Sequence, residues 1–365
     1  MKRRTNLINN ILSLGITFLA LFVCVYFCNN RYGINIVKAM SIFAVGAIIA
    51  GIFNTFVHEL GHMIAGKKNG FEFSSMSVWF FKWTKIKGRI HFNFVMMGDE
   101  TGYTEMIPKY SENIEKRYKN MIVGAFYASF FAMLIGIPPL FLVNLPVWVY
   151  GIWSMFLPVG VYFYFASALP MSTCGIRNDG GVVYGINKKD DQTAVLMSIL
   201  SIQAQMYQGK TPSEVDEKLY FELPQLPEDD PLFAVLLNSR YNYYLDKCDF
   251  ENAKAATARL LTLEDYVPKY YKNVFKTDAL YNACTFDFNE ELADDYTYEL
   301  EKYLNNVNTA TNVRVKLAYL LNVKGEKDAF ELFYKKGLKE ADRCQIKGQG
   351  AFEKKLFERL KESVE

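Results

Sequence analysis

The chain has 365 residues, 51% hydrophobic and 22% charged, with a net charge of +2 and a mean hydropathy of zero. These values exclude a disordered chain, a collagen-like chain and a small disulfide scaffold, and no dense basic patch suggests a nucleic-acid binder. The averages conceal two unlike halves: residues 1–181 carry 16 Lys+Arg and 8 Asp+Glu, whereas residues 182–365 carry 25 and 31.

A span of the hydrocarbon core takes about 20 apolar residues in a helix. Four stretches meet that length, at about 9–28, 38–62, 120–143 and 146–168. The first follows Lys2, Arg3 and Arg4 and is too long for a cleaved signal, so residues 1–37 read as a signal-anchor helix. Cys24 and Cys28 sit one turn apart in it and are expected as apolar filler on a lipid-facing helix. Basic residues gather at 2–4 and across 64–119, which carries ten Lys+Arg against six Asp+Glu. Positive charge is retained on the cytoplasmic side. Both termini are therefore expected there, in a multi-pass cell-membrane protein whose composition suits an AT-rich bacterial source.

Between the second and third spans the apolar period changes from helical to two. Phe71-Glu72-Phe73, then Ile90, Phe92 and Phe94 alternating with His91 and Asn93 behind a Lys87-Gly88 turn, predict a β-rich insertion over 66–117. A further short strand is expected near Thr101–Glu105. The aromatics Trp79, Phe80, Phe81 and Trp83 among lysines suit a membrane interface. From about residue 190 amphipathic helices follow. Asp249-Phe250-Glu251-Asn252, Asp287-Phe288-Asn289-Glu290 and Gly325-Glu326-Lys327-Asp328 recur at an offset of 38 residues, close to tetratricopeptide helical hairpins. Pro224–Pro231 reads as a linker between an early helical pair and this array. The expected fold is an all-α polytopic membrane protein with a small cytoplasmic β insertion, followed over 187–365 by a soluble α-helical repeat domain.

Only three histidines occur, and two stand in His58-Glu59-Leu60-Gly61-His62 at the end of the second apolar stretch. Histidines at i and i+4 share one helical face and can hold one metal ion. Glu59, on the adjoining face, can take a proton from water that the metal activates. Ala47, Gly51 and Thr55 continue the His58–His62 stripe, and Gly124, Ala128, Ala132 and Gly136 form a matching small-residue stripe on the third span. Small residues permit close helix packing, which turns the ligands toward protein. Zinc needs a third protein ligand and an open position. Asp179, before Gly180-Gly181 and just after the fourth span, is the candidate. His91 is a rival ligand, and Cys174 a rival redox or inhibitory one.

These features resemble the site-2 proteases, intramembrane zinc metalloproteases that cleave transmembrane or signal-peptide-like segments. The resemblance covers residues 38–186: HExGH at the end of a span, a β-rich loop and small-residue helix after it, and a proline followed by Asp-Gly in the third core helix. It implies that His58, His62 and Asp179 bind Zn2+ and that Glu59 is the general base. Ser167 stands three before Pro170 where the family has Asn, and eight residues separate that proline from Asp179. Ser167 and Asn178 are the candidates for oxyanion stabilisation or substrate positioning. The implied partners are a single-pass membrane protein or signal-peptide-like peptide as substrate, the lipid bilayer, and a cytoplasmic protein or peptide on the repeat domain. Two alternatives stand beside this reading. One is a membrane-anchored zincin whose third ligand is a glutamate from 112–115; the other is a non-catalytic docking protein.

Overall fold

The computed structural model describes residues 3–34, 36–86, 88–96, 102–142, 144–173, 175–267, 269–307 and 309–362. Lys2, Lys87, Thr101 and Cys174, singled out above, lie outside the described residues. The chain divides into two compact units, 1–107 with 115–189, and 108–114 with 190–365.

The first unit carries four helical stretches long and apolar enough to cross a membrane: Thr5–Tyr32, Ala39–Lys68, Ile114–Leu140 and Val147–Ala168. They are built from α1 (Arg3–Tyr32), α2 (Ile36–Lys68), α3 (Ile114–Leu134), and the pair α4 (Val147–Ser154) and α5 (Phe156–Ala168). Leu7, Ile11, Phe18, Leu19 and Phe22 of α1 are exposed, an outward apolar surface that suits lipid. The inward side of α1 is not a detached anchor. Cys24 and Cys28 are buried against protein rather than lipid. The Cys24 thiol donates to the carbonyl of Ser154 (3.5 Å), and the Tyr150 hydroxyl donates to the carbonyl of Cys24 (2.9 Å).

Four antiparallel strands follow α2: β1 (Phe71–Val78), β2 (Phe81–Ile86), β3 (Arg89–Phe94) and β4 (Gly102–Pro108), in the order β3-β2-β1-β4. Gly70, at φ +78°, makes the turn out of α2, and Arg117 of α3 fixes that turn by donating to the carbonyls of Asn69 (2.7 Å) and Gly70 (2.9 Å). β1 then runs back along α2 instead of leaving its end. The β1–β2 turn brings the Trp79 ring to Gly51, where an added β-carbon would stand 3.3 Å away. Gly51 is 17 residues before the end of α2, or about 25 Å along a helix rising 1.5 Å per residue. The aromatic hairpin expected at the interface thus lies beside the apolar helix itself. Phe81 and Trp83 face Phe92 and Phe94 across β2 and β3, and Trp83 reaches Phe56 of α2.

The small-residue stripes also pack differently from the expectation. The Gly51–Thr55 side of α2 is covered by the sheet, at Trp79 and Gly102, and not by α3. α3 instead meets the next face: a β-carbon at Gly61 would be 2.7 Å from that of Ala128, and one at Gly124 would be 2.2 Å from that of Ala65. Such backbone proximity is what glycine and alanine permit. The first unit ends with a two-stranded hairpin, β5 (Ser172–Thr173) and β6 (Ile176–Arg177), and helix α6 (Asp179–Lys188).

The second unit contains α7 (Asp191–Tyr207), α8 (Lys218–Phe221), α9 (Pro231–Asp246), α10 (Phe250–Leu261), α11 (Lys269–Cys284), α12 (Glu290–Asn306), α13 (Ala310–Asn322), α14 (Phe330–Ala341) and α15 (Lys347–Glu362). The 38-residue recurrence marks the turns within the pairs α9–α10, α11–α12 and α13–α14. Asp249 caps α10 through the Asn252 N–H, and Asn289 caps α12 through the Leu292 N–H, each satisfying an N–H that the first turn leaves unpaired. In an open repeat array each unit touches only its neighbours. Here α15 returns to the start: Phe352, Leu356 and Phe357 share one core with Tyr241 and Leu245 of α9, and Arg359 donates to the carbonyls of Leu245 and Asp246. The 224–231 segment is no free linker either, since Leu226 is buried with Val195, Tyr220 and Tyr243.

Candidate metal centre

His58 and His62 lie one turn apart on α2, their rings 4.8 Å apart between centroids. Both turn Nε2 to the same oxygen of Asp179, Oδ2, at 3.0 Å each. Among the described residues, these are the one group of three His, Cys, Asp or Glu side chains whose ligand atoms converge, all within 4.8 Å of one another. Glu112, Glu115 and His91 lie outside it. His91 stands on β3 opposite Thr84, exposed on the sheet's outer strand.

Asp179 reaches this point because of its backbone. It is the first residue of α6, not a turn residue, and Asn178 caps that helix by accepting from the Gly181 N–H (2.8 Å). The Asn178 carbonyl oxygen also accepts from the Met171 N–H (2.9 Å), while its amide donates to the carbonyls of Ala166 (2.6 Å) and Leu169 (2.7 Å). These bonds join the end of α5 to the start of α6 across the intervening hairpin. A β-carbon at Gly180 would be 2.2 Å from the Ala168 carbonyl oxygen, so the glycine after Asp179 is what lets α6 nest there. The same hairpin is held by α1: Asn6 donates to the Ser172 carbonyl (2.7 Å) and accepts from its N–H (3.1 Å), and Asn9 donates to the carbonyl of Pro170 (2.8 Å). Burial opposes the charge of Asp179, but the His62 and His58 imidazoles hold its carboxyl well below the ordinary range.

Ser167 and Asn178, the two residues considered for oxyanion or substrate positioning, have their donors committed elsewhere. Ser167 Oγ donates back to the helix carbonyls of Phe163 (2.9 Å) and Tyr164 (3.2 Å), and Asn178 is occupied as above. Both act as structure at the α5–α6 junction.

Glu59 is buried, and its Oε2 has no hydrogen-bond partner among the described residues. β4 passes directly over it. Thr104 Oγ1 donates to the Glu59 backbone carbonyl (3.1 Å), and a β-carbon at Gly102 would stand 2.9 Å from Glu59 Oε1 and 2.4 Å from Thr55 Cγ2. An uncompensated carboxylate oxygen in a dry setting is costly and belongs where a ligand or water completes it. On the other side of the histidines, Ser129 of α3 lies 2.8 Å from His58 Nδ1 and is buried. His62 Nδ1 is buried toward the Met121 backbone without a hydrogen bond of ordinary geometry. Spacing alone did not reveal the roles of Ser129, Gly102, Asn6 or Asn9. The signal for Ser129 was present, as the one hydroxymethyl in a stripe of Gly124, Ala125, Ala128 and Ala132.

The donor set, two imidazole nitrogens and one carboxylate oxygen, fits a divalent metal of intermediate softness. A scan against protein-family models, a search of curated proteins and a search of solved structures each find no match to this chain.

Proposed function

We propose that the chain is a membrane-embedded zinc endopeptidase that hydrolyses a peptide bond in or near a transmembrane or signal-peptide-like segment. The observation that carries this reading is the convergence of His58, His62 and Asp179 on one point, with Glu59, whose Oε2 has no hydrogen-bond partner among the described residues, on the adjoining face. Zinc bound there would supply Lewis acidity, lowering the pKa of water at its open position and polarising a peptide carbonyl. His58 and His62 would hold it with Nε2 and Asp179 with its carboxylate. Glu59 then accepts the proton of the attacking water and passes it to the departing amine.

The sheet supplies a place for the substrate backbone. β4 is the edge strand beside Glu59, whereas β3 is the opposite edge, three strands away. An extended segment adding to an exposed edge gains main-chain hydrogen bonds, and at β4 that would bring its scissile bond to the glutamate. This assigns the substrate to β4 and leaves the aromatic β2–β3 hairpin for lipid. The basic residues at 2–4 and 64–119 orient the centre toward the cytoplasm, and the helical unit serves as a docking module for a cytoplasmic protein or peptide. Resemblance of the His58–His62 segment and the Asp179-Gly180 segment to site-2 proteases agrees with this chemistry.

The test uses the full chain in lipid vesicles with a panel of single-pass peptides. Wild type is expected to copurify with one zinc per chain and to cleave at least one of them. Glu59→Gln is expected to keep the zinc and lose on the order of 10²–10⁴-fold in rate. Cleavage undiminished in that variant, or wild type without zinc, refutes the proposal.

A further inference from the structure

We infer that Ser129 is a positioning residue for the metal centre: its hydroxyl accepts from His58 Nδ1–H, fixes that ring's tautomer and orientation, and so presents the Nε2 lone pair to a metal. The inference rests on the metal-binding reading given above and extends it to α3, a helix that contributes no ligand.

Three independent features of the fold lead to it. The first is geometric. His58 uses both ring nitrogens within hydrogen-bonding distance, Nδ1 to Ser129 Oγ at 2.8 Å and Nε2 to Asp179 Oδ2 at 3.0 Å. A neutral imidazole carries one N–H and one lone pair. When Nε2 serves a metal, the proton must stand on Nδ1, and the neighbour there must accept it. A serine oxygen can, because a hydroxyl has two acceptor lone pairs. Ligating histidines generally donate their second nitrogen in this way.

The second feature is burial. Ser129 is 1% exposed, so no bulk water can replace the hydroxyl if it is removed. The third is the helix packing that puts it there. α2 and α3 approach until Gly61 meets Ala125 and Ala128, with 2.8 Å from a Gly61 β-carbon to the Ala125 Cα. At that separation a one-carbon side chain spans the gap to the ring. Gly124, Ala125, Ala128 and Ala132 set the distance, and Ser129 alone among these short side chains can hydrogen-bond. His62 Nδ1 faces the Met121 backbone instead, and no side-chain hydroxyl among the described residues bonds to it.

The experiment measures metal affinity of the full chain in detergent by chelator competition with Zn2+, and the visible spectrum of the Co2+ form. The variants are Ser129→Ala and Ser129→Thr. Ser129→Ala is expected to weaken Zn2+ about 10–100-fold, the usual effect of losing such a partner. It should also alter the Co2+ spectrum, and leave the thermal midpoint of the metal-free protein unchanged. Ser129→Thr, which keeps the hydroxyl, is expected to restore both metal readouts. Wild-type affinity and spectrum in Ser129→Ala overturn the inference while leaving the protease reading intact. Weakened binding together with a lowered metal-free midpoint also overturns it, because the serine is then a packing residue. Wild type that binds neither ion overturns the metal reading itself, and with it this extension.

Discussion

The two units solve the problem of buried polar groups in opposite ways. In the helical unit the buried charges are paired, although Arg314 Nη1 has no hydrogen-bond partner among the described residues. Glu353 accepts from Arg314 Nε (2.7 Å) and from Thr311 (2.6 Å), the Arg314 guanidinium lies 3.9 Å over the Tyr281 ring, and Tyr241 donates to Asn282. In the apolar unit the buried Glu59 and His62 stand together at one place, and they do not close. His58 and His62 share a single carboxylate oxygen, and Glu59 Oε2 has no partner among the described residues. A buried charge paired within the protein holds a fold; one left short of a partner, where that is costly, marks a place for a ligand.

That contrast can be broken most forcefully at Arg314. Removing one partner of a buried ion pair strands the other, typically at about 3–5 kcal/mol, whereas replacing both by apolar groups is often neutral. Glu353→Ala is expected to lower the thermal midpoint of the helical unit by roughly 6–20 °C, at about 2–4 °C per kcal/mol for a unit of this size. Arg314→Met with Glu353→Leu should recover most of the loss. If the single change is silent in calorimetry, the Arg314–Glu353 pair does not hold this unit together.

A smaller effect tests Asp278, a buried carboxyl of that unit hydrogen-bonded to an amide. Asp278 accepts from Asn238 (2.9 Å), and burial pushes its carboxyl up from 3.8 to about 7, partly opposed by Arg314 and reinforced by Glu353. The folded chain therefore binds more protons than the unfolded chain between about pH 4 and pH 7. This contribution to stability is greatest at the acid end, falls as pH rises through that window and levels off above it. Thermal midpoints of wild type and Asp278→Asn, compared across the window, should diverge toward pH 7, with the asparagine variant the more stable there. Parallel curves would show that Asp278 is ionised throughout.

The least of the three probes the apolar unit. Asn6→Ala removes the three bonds that Asn6 makes to Ser172, ahead of the segment carrying Asp179. An ordinary hydrogen bond contributes about 1 kcal/mol. The expected result is a several-fold loss of Zn2+ affinity with Glu59 and the histidines untouched. An unchanged affinity would mean that Asn178 alone holds the third ligand.

Much of this was legible in the amino-acid sequence, and the limit falls in a consistent place. The four apolar stretches, the strand period at Ile90–Phe94 and the shared face of His58 and His62 each arise within one element, where backbone geometry alone sets the spacing. Helical pairs could be read from the 38-residue recurrence for the same reason. The return of α15 to α9 could not, because nothing local records which side chains a distant helix will meet. Cys24 and Cys28 show the same limit: their spacing placed them on one face, but only the packing of α4 showed that this face is inward.

By itself, then, the sequence determined the elements, the i and i+4 histidines, and the candidate third ligand at Asp179. The tertiary structure decided what surrounds them. β1 turns back along α2 to Gly51, β4 lies over Glu59 at Gly102, Ser129 meets His58, and Asn178 is spent on holding the α5–α6 junction. Each of these depends on backbones approaching to within a side chain's width. Such an approach is fixed by which residues on both partners lack bulk, a property of the pair that neither segment displays alone.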